Sequence, residues 1–181
     1  MQLKTTPLEG CYTIHPQVFK DHRGTFFESF NTKKFEDSIG RTVNFVQDNQ
    51  SQSSIGVLRG LHYQKGVYSQ AKLVRVVKGS VQDVVVDIRP ESKTYGKYFS
   101  IILSAENNIQ LFVPRGFAHG FLALENDTVF CYKCDNYYNK ESEAGILYND
   151  KTLNINWYKL DIDFVLSKKD LELPNFEAIV L

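Results

Sequence analysis

The residues with the most chemistry in them sit in Gly56-Val57-Leu58-Arg59-Gly60-Leu61-His62-Tyr63-Gln64, an apolar, strand-like run carrying an arginine and one of only four histidines in the chain. Ten positions after His62, Lys72 opens a second such run. An unperturbed imidazole titrates near ~6.5 and can act as a base at neutral pH. Arg59 offers a planar fork suited to phosphate or carboxylate, and Lys72 can stabilise a developing enolate oxygen. A base, an anion binder and a second cation on neighbouring strands point to acid/base chemistry on an anionic, carbonyl-bearing substrate. The plainer alternative for His62 is a hydrogen-bonded structural histidine. Strict alternation along a strand puts Arg59 and His62 on opposite faces. Gly60, between them, is where a bulge would change that.

The partners such a base needs lie late in the chain. Tyr132, in Phe130-Cys131-Tyr132-Lys133-Cys134, carries a phenol able to return a proton to a carbanion or enolate; its alternative is a core or interface tyrosine. Asp170 is a candidate to orient His62 by bonding its second ring nitrogen, or else a surface carboxylate at a helix start. Val113-Pro114-Arg115-Gly116-Phe117-Ala118-His119-Gly120-Phe121 contains a PxGxxH core that resembles the second motif of the cupin superfamily, many of whose members bind a metal there. Here Tyr63 and Gln64 follow His62, so the paired histidine of the first cupin motif is missing, and His15 and His22 are far away in sequence. His119 is therefore expected to support the site or touch substrate, and no metal is expected. Cys131 and Cys134 form a lone CxxC, read as two small residues in a strand rather than a zinc site.

These groups must be positioned by strands. The pattern predicts them at 12–15, 25–30, 43–47, 57–63 and 72–77, then a hairpin turning at Lys78-Gly79 into 81–88. Further strands are predicted at 98–103, 109–113, 121–124 and 128–134, with Asn107-Asn108 and Asn126-Asp127 as turns. A helix is predicted at 32–39, capped by Asn31 and stopped by Gly40, and a second helical turn after Ser167. Many short strands with turns between them mean an antiparallel sandwich or barrel, here a single domain over residues 1–181. Thirteen phenylalanines and ten tyrosines suit a core plus a dimer interface.

Lys+Arg and Asp+Glu balance at 21 each, which speaks against nucleic-acid binding. No apolar run is long enough to span a bilayer. The first residues lack a signal-peptide core, so a cytoplasmic protein is expected. Three cysteines argue against a disulfide framework.

Taken together, the motifs resemble the dTDP-4-dehydrorhamnose 3,5-epimerase family of cupin-fold sugar-nucleotide enzymes along nearly the whole chain. The landmarks are Asp21-His22-Arg23-Gly24 with Phe27-Glu28, Phe45 to Ser51, Gly56 to Gln64, Ala71 to Val76, Val86-Asp87-Ile88-Arg89, Pro114 to Phe121, Tyr132-Lys133-Cys134, Glu143, and Ser167-Lys168-Lys169-Asp170. The resemblance implies a jelly roll with a few short helices, working as a homodimer without metal or dissociable cofactor. It implies His62 as base, Asp170 as its partner, Tyr132 as acid on the opposite face of the sugar, and Lys72 at the ketone oxygen. Arg23, Glu28, Gln47, Asn49, Arg59, His119, Glu143 and Lys169 would contact the dTDP-sugar substrate. Two stretches depart from the family pattern: Leu147-Tyr148 before Asn149-Asp150, where a tryptophan is common, and Trp157 to Phe164. Both are expected at the pocket mouth. Close rivals are a single-centre epimerase on a related 4-keto sugar nucleotide, a metal cupin, and a non-catalytic sugar-binding jelly roll.

Overall fold

The computed structural model describes residues 1–179. In chain order its strands are β1 (Gln2–Thr5), β2 (Tyr12–His15), β3 (Phe19–Asp21), β4 (Gly24–Phe26), β5 (Gln47–Ser53), β6 (Leu58–Gln64), β7 (Lys72–Lys78), β8 (Ser80–Asp87), β9 (Tyr98–Ser104), β10 (Gln110–Val113), β11 (Phe117–Ala123), β12 (Thr128–Cys134) and β13 (Glu143–Gly145). The helices are α1 (Thr32–Ile39) and α2 (Lys168–Leu171). One sheet runs β1-β2-β10-β7-β12-β5, the other β13-β6-β11-β8-β9, and β3-β4 form a separate hairpin. Two facing antiparallel sheets make the expected jelly roll.

The apolar pattern explains the layers. Val74, Val76, Val85, Leu111, Phe121 and Phe130 meet between the sheets. In β8 and β11 nearly every residue is buried, because their second face is also covered. There Leu61, Val84, Val86 and Ala118 pack against Ile146, Leu153 and Phe176 of the C-terminal segment. Apolar residues therefore occupy both faces of these strands instead of alternating. On the outside of the first sheet, α1 seats Phe35 among Ile14, Val43, Leu73 and Phe112. Its ends are as the sequence requires: Asn31 Oδ1 accepts from Lys34 N at 3.1 Å, and Gly40 closes the helix at φ +72°.

Three strand expectations need correction. Residues 27–30 are not in a strand; Phe30 instead joins Phe35 and Phe45 in an aromatic cluster. Residues 43–46 are not a strand either, since Val43 and Phe45 pack onto α1; the strand begins at Gln47 and runs to Ser53. β11 starts at Phe117, four residues before the expected point, so His119 lies within it.

Asp87 anchors the loop after β8. It is fully buried and accepts from Arg89 Nε (2.8 Å), Arg89 Nη2 (2.7 Å), Ser92 Oγ (2.5 Å) and Thr94 Oγ1 (2.6 Å). Burial alone would push its carboxyl up, but these donors outweigh that and hold it at about 2, below the ordinary 3.8. A depressed folded-state pKa contributes stability above the unfolded value that is lost as pH falls through the folded one. Asp87 is therefore expected to contribute about 2 kcal/mol at neutral pH, lost between about pH 4 and about pH 2. Urea denaturation across that range should show a steeper loss for the parent than for Asp87→Asn, which starts lower; parallel curves would refute the assignment.

Candidate active site

One cleft gathers most of the expected groups. It opens between β5, β12 and β7 of one sheet and β6 and β11 of the other. It has two lobes, which share Asn49, His62, Lys72 and Tyr132. Arg59, His119, Lys169 and Asp170 line the first lobe. Gln47, Gln64, Gln70, Cys134, Tyr138 and Glu143 line the second.

Arg59 and His62 reach the same lobe because β6 carries an extra residue there. Opposite β11, His119 pairs with His62 but Phe121 pairs with Arg59, so two steps on β11 meet three on β6. Gly60 sits at this bulge with φ +120°, and a Cβ on it would lie 2.7 Å from Gly120 Cα and 2.8 Å from the His119 carbonyl oxygen. Only glycine allows the two strands to approach so closely.

Asp170 comes to His62 across 108 positions of sequence. The chain before α2 is zipped onto the start of β6: Leu58 N donates to the Val165 carbonyl (3.0 Å) and Val165 N to the Gly56 carbonyl (2.9 Å). Ser167 then caps α2 by accepting from Asp170 N at 3.1 Å. The result is His62 Nε2 at 2.5 Å from Asp170 Oδ1, with side-chain exposures of 30% and 6%. Burial alone would raise the Asp170 carboxyl, but the hydrogen bond and charge of His62, with help from Ser167 and Lys169, leave it below its ordinary value. With Asp170 ionised, Nε2 is the donor and the ring's lone pair sits on Nδ1.

Across the cleft, Tyr132 and Lys72 project from adjacent strands, with Lys72 Nζ 5.8 Å from the Tyr132 ring centroid. Burial pushes the Tyr132 phenol up, aided by Cys134 and Glu143 and opposed by Arg59, so it stays protonated. Burial likewise pulls the Lys72 ammonium down. Glu143 is bonded by Lys169 Nζ and by Tyr138 Oη (2.8 Å). Burial alone would raise its carboxyl, but these two donors outweigh that and depress it.

His119 forms a second histidine–carboxylate pair, 2.9 Å from Asp83, which is fully buried. Sequence reasoning did not single out Asp83; the available signal was a carboxylate inside the apolar run of β8. Tyr138 and Gln70 also escaped notice, and Gln64 was read only as part of the His62 motif and not as a lining residue. His62 and His119 are cross-strand neighbours, yet each is committed to its own carboxylate. Among the described residues no cluster of three His, Cys, Asp or Glu could hold a metal ion. Cys131 and Cys134, three apart on β12, point to opposite faces. Cys131 bonds Gln50 on the outside, while Cys134 lines the cleft, its thiol pushed up to about 11 chiefly by burial.

Two expected contacts lie elsewhere. Arg23 is in the β3-β4 hairpin, 79% exposed and bonded to Asp21, and Glu28 pairs with Lys34; neither lines this cleft. The departures from the family pattern are also not at its mouth. Tyr148 meets Phe164 edge-on at 6.2 Å, and Trp157 Nε1 donates to the Tyr148 carbonyl (2.8 Å), so the two stretches pack on each other.

Comparison with known proteins places the whole chain in one family. The family model described as dTDP-4-dehydrorhamnose 3,5-epimerase matches residues 5–178. The Shigella flexneri enzyme of that name is 54% identical over 176 residues, 97% of this chain and 96% of its own. The crystal structure of the Elizabethkingia anophelis epimerase superposes with a TM-score of 0.94 at 55% identity, covering 98% of this chain and 97% of the other. A Legionella pneumophila epimerase solved in complex with dTDP-4-keto-L-rhamnose gives 0.95 at 45% identity, covering 99% and 94%. With fold, length and motifs matched from end to end, this chain belongs to the dTDP-4-dehydrorhamnose 3,5-epimerase family.

Proposed function

We propose that this protein is an isomerase that inverts C3 and C5 of dTDP-4-dehydro-6-deoxy-D-glucose to give dTDP-4-dehydro-L-rhamnose, in deoxysugar biosynthesis. The observation that carries the reading is the opposition, in one cleft, of a carboxylate-backed imidazole and a protonated phenol beside the half-buried Lys72. C3 and C5 both flank the C4 ketone, so their protons are acidic enough to remove. In this reading His62 Nδ1 takes the proton while Asp170 holds the ring and steadies the imidazolium. Lys72 stabilises the enolate oxygen, and Tyr132 delivers a proton to the opposite face. Two such cycles invert both centres.

Gln47, Asn49, Arg59, His119, Glu143 and Lys169 line the cleft and are proposed as contacts to the sugar and the nucleotide diphosphate. Arg23 and Glu28 lie outside this protomer's cleft, so in the same reading they reach substrate only from a second copy in a homodimer. Support for such a dimer comes from the hairpin that carries Arg23, which leaves Phe19 (55%) and Phe26 (71%) exposed. A cytoplasmic setting suits the three free cysteines. The balanced charge gives no basic field for nucleic acid, and among the described residues no helix is long and apolar enough to cross a membrane.

Proton NMR in D₂O with dTDP-4-keto-6-deoxy-D-glucose tests the reaction. Deuterium entering at both C3 and C5, with the L-rhamno product, is the expected result. Deuterium at one carbon alone would make this a single-centre epimerase, and none at all from folded protein would refute epimerisation of this sugar.

A further inference from the structure

The inward face of β5 presents Gln47, Asn49, Ser51 and Ser53, paired across to Cys134, Tyr132, Phe130 and Thr128 of β12. Three of these polar side chains are engaged. Gln47 Nε2 donates to Asn49 Oδ1 (3.0 Å), Asn49 Nδ2 reaches Cys134 Sγ (3.7 Å), and Ser53 Oγ accepts from Arg59 Nε (3.3 Å). Ser51 differs. Its Oγ is shielded from solvent and has no hydrogen-bond partner, and it is the one such side-chain oxygen or nitrogen found among the described residues. A buried hydroxyl left unpaired costs free energy, so it needs a reason.

The location supplies one. Ser51 lines the first lobe, with His62, Tyr132 and His119 around it. This is the lobe that contains Asp170, the carboxylate behind the base. The second lobe is walled by the half-exposed Tyr138, with Gln70 and Glu143, and suits a flat nucleoside better than a ring under proton transfer. We propose that Ser51 is a sugar-binding residue: its hydroxyl pairs with a ring hydroxyl of the bound 4-keto sugar and so helps hold C3 and C5 between His62 and Tyr132. This rests on reading the cleft as a 4-keto sugar nucleotide site. The hydroxyl is unpaired because its partner arrives with the substrate, and Arg59 is locked beside it through Ser53.

Ser51→Ala in the full-length protein separates this from a structural role. The expected result has three parts. The melting temperature of the free protein is unchanged or higher, because alanine removes an unpaired buried hydroxyl. The kcat/KM for dTDP-4-keto-6-deoxy-D-glucose falls about tenfold, one hydrogen bond's worth. The Kd for dTDP, measured by calorimetry, does not move. Ser51→Cys, which keeps the volume but donates weakly, should lose kcat/KM similarly and decides the matter if the alanine variant does not fold. An unchanged kcat/KM beside an active parent overturns this inference alone. Equal losses in kcat/KM and dTDP affinity would move the contact to the diphosphate and overturn the sugar assignment. A lowered melting temperature with normal turnover would make Ser51 structural. A parent inert toward the sugar nucleotide overturns the functional reading and this inference with it.

Discussion

Replacing His62 with alanine is expected to lower turnover by about 10²–10⁴-fold, the range typical of losing a positioned general base, and to abolish deuterium entry at both C3 and C5. Both losses follow from one atom. His62 Nε2 is occupied by Asp170 at 2.5 Å, which leaves Nδ1 as the nitrogen able to accept a carbon-bound proton. No other imidazole substitutes: His119, its cross-strand neighbour, is held by Asp83 at 2.9 Å. The substitution also strands Asp170, whose side chain is only 6% exposed. Its carboxyl is depressed in the folded protein because His62 outweighs burial. The stability it contributes is thus present above the ordinary carboxylate pKa and lost as pH falls through its folded value. Without His62, burial acts unopposed by its main partner, the folded pKa rises and part of that stability disappears at neutral pH. Circular dichroism must therefore accompany the kinetics. A folded His62→Ala protein that exchanged deuterium at the parental rate would remove His62 from the mechanism.

Tyr132→Phe is expected to reduce formation of the inverted product by about 10²–10⁴-fold while leaving deuterium exchange into recovered substrate. The ring packs against Phe130 at 6.1 Å and beneath Lys72 at 5.8 Å, and phenylalanine preserves both contacts, so the fold should be untouched. What is lost is one proton donor. Burial holds the phenol above its ordinary pKa, so at neutral pH it is the protonated acid that inversion requires. Without it, His62 can still remove a proton, exchange it with solvent and return it to the face it came from. Exchange with retention is the signature of a missing acid beside a working base. If Tyr132→Phe formed inverted product at the parental rate, the opposite-face acid would have to be another group. If it lost exchange as well, Tyr132 would be needed for proton removal.

Much of the scaffold was readable along the chain. The helix at 32–39 was visible because both of its ends use local chemistry, a side-chain cap at Asn31 and a left-handed glycine at Gly40. β8 was visible because it is buried on both faces, so that Val84-Val85-Val86 stand together without alternation. β5 was missed for the converse reason. Its inward face lines a polar cleft, so Gln47, Asn49, Ser51 and Ser53 occupy positions where an apolar pattern is sought. The neighbouring Val43 and Phe45 attracted the strand assignment, although they serve the α1 cluster. His119 was found by its motif; its carboxylate partner, Asp83, left only a charge beside the valines of β8 as a signal, and which histidine it meets is decided across strands.

By itself the sequence determined the family and pointed to the groups proposed for its chemistry. A histidine, an arginine and a lysine in adjoining strand-like runs point to proton transfer beside a carbonyl on an anionic substrate, and the collinear motifs from Asp21 to Asp170 carry the family resemblance. Only the tertiary structure decided how those groups meet. It decided that a bulge at Gly60 turns Arg59 and His62 to one side, that a zipper between Val165 and Leu58 delivers Asp170 to an imidazole 108 residues away, and that Arg23 stands outside the cleft. Side-chain type is a local property that can be read one position at a time. The direction a strand residue faces, and which distant carboxylate it meets, are set by register and packing summed over the whole chain.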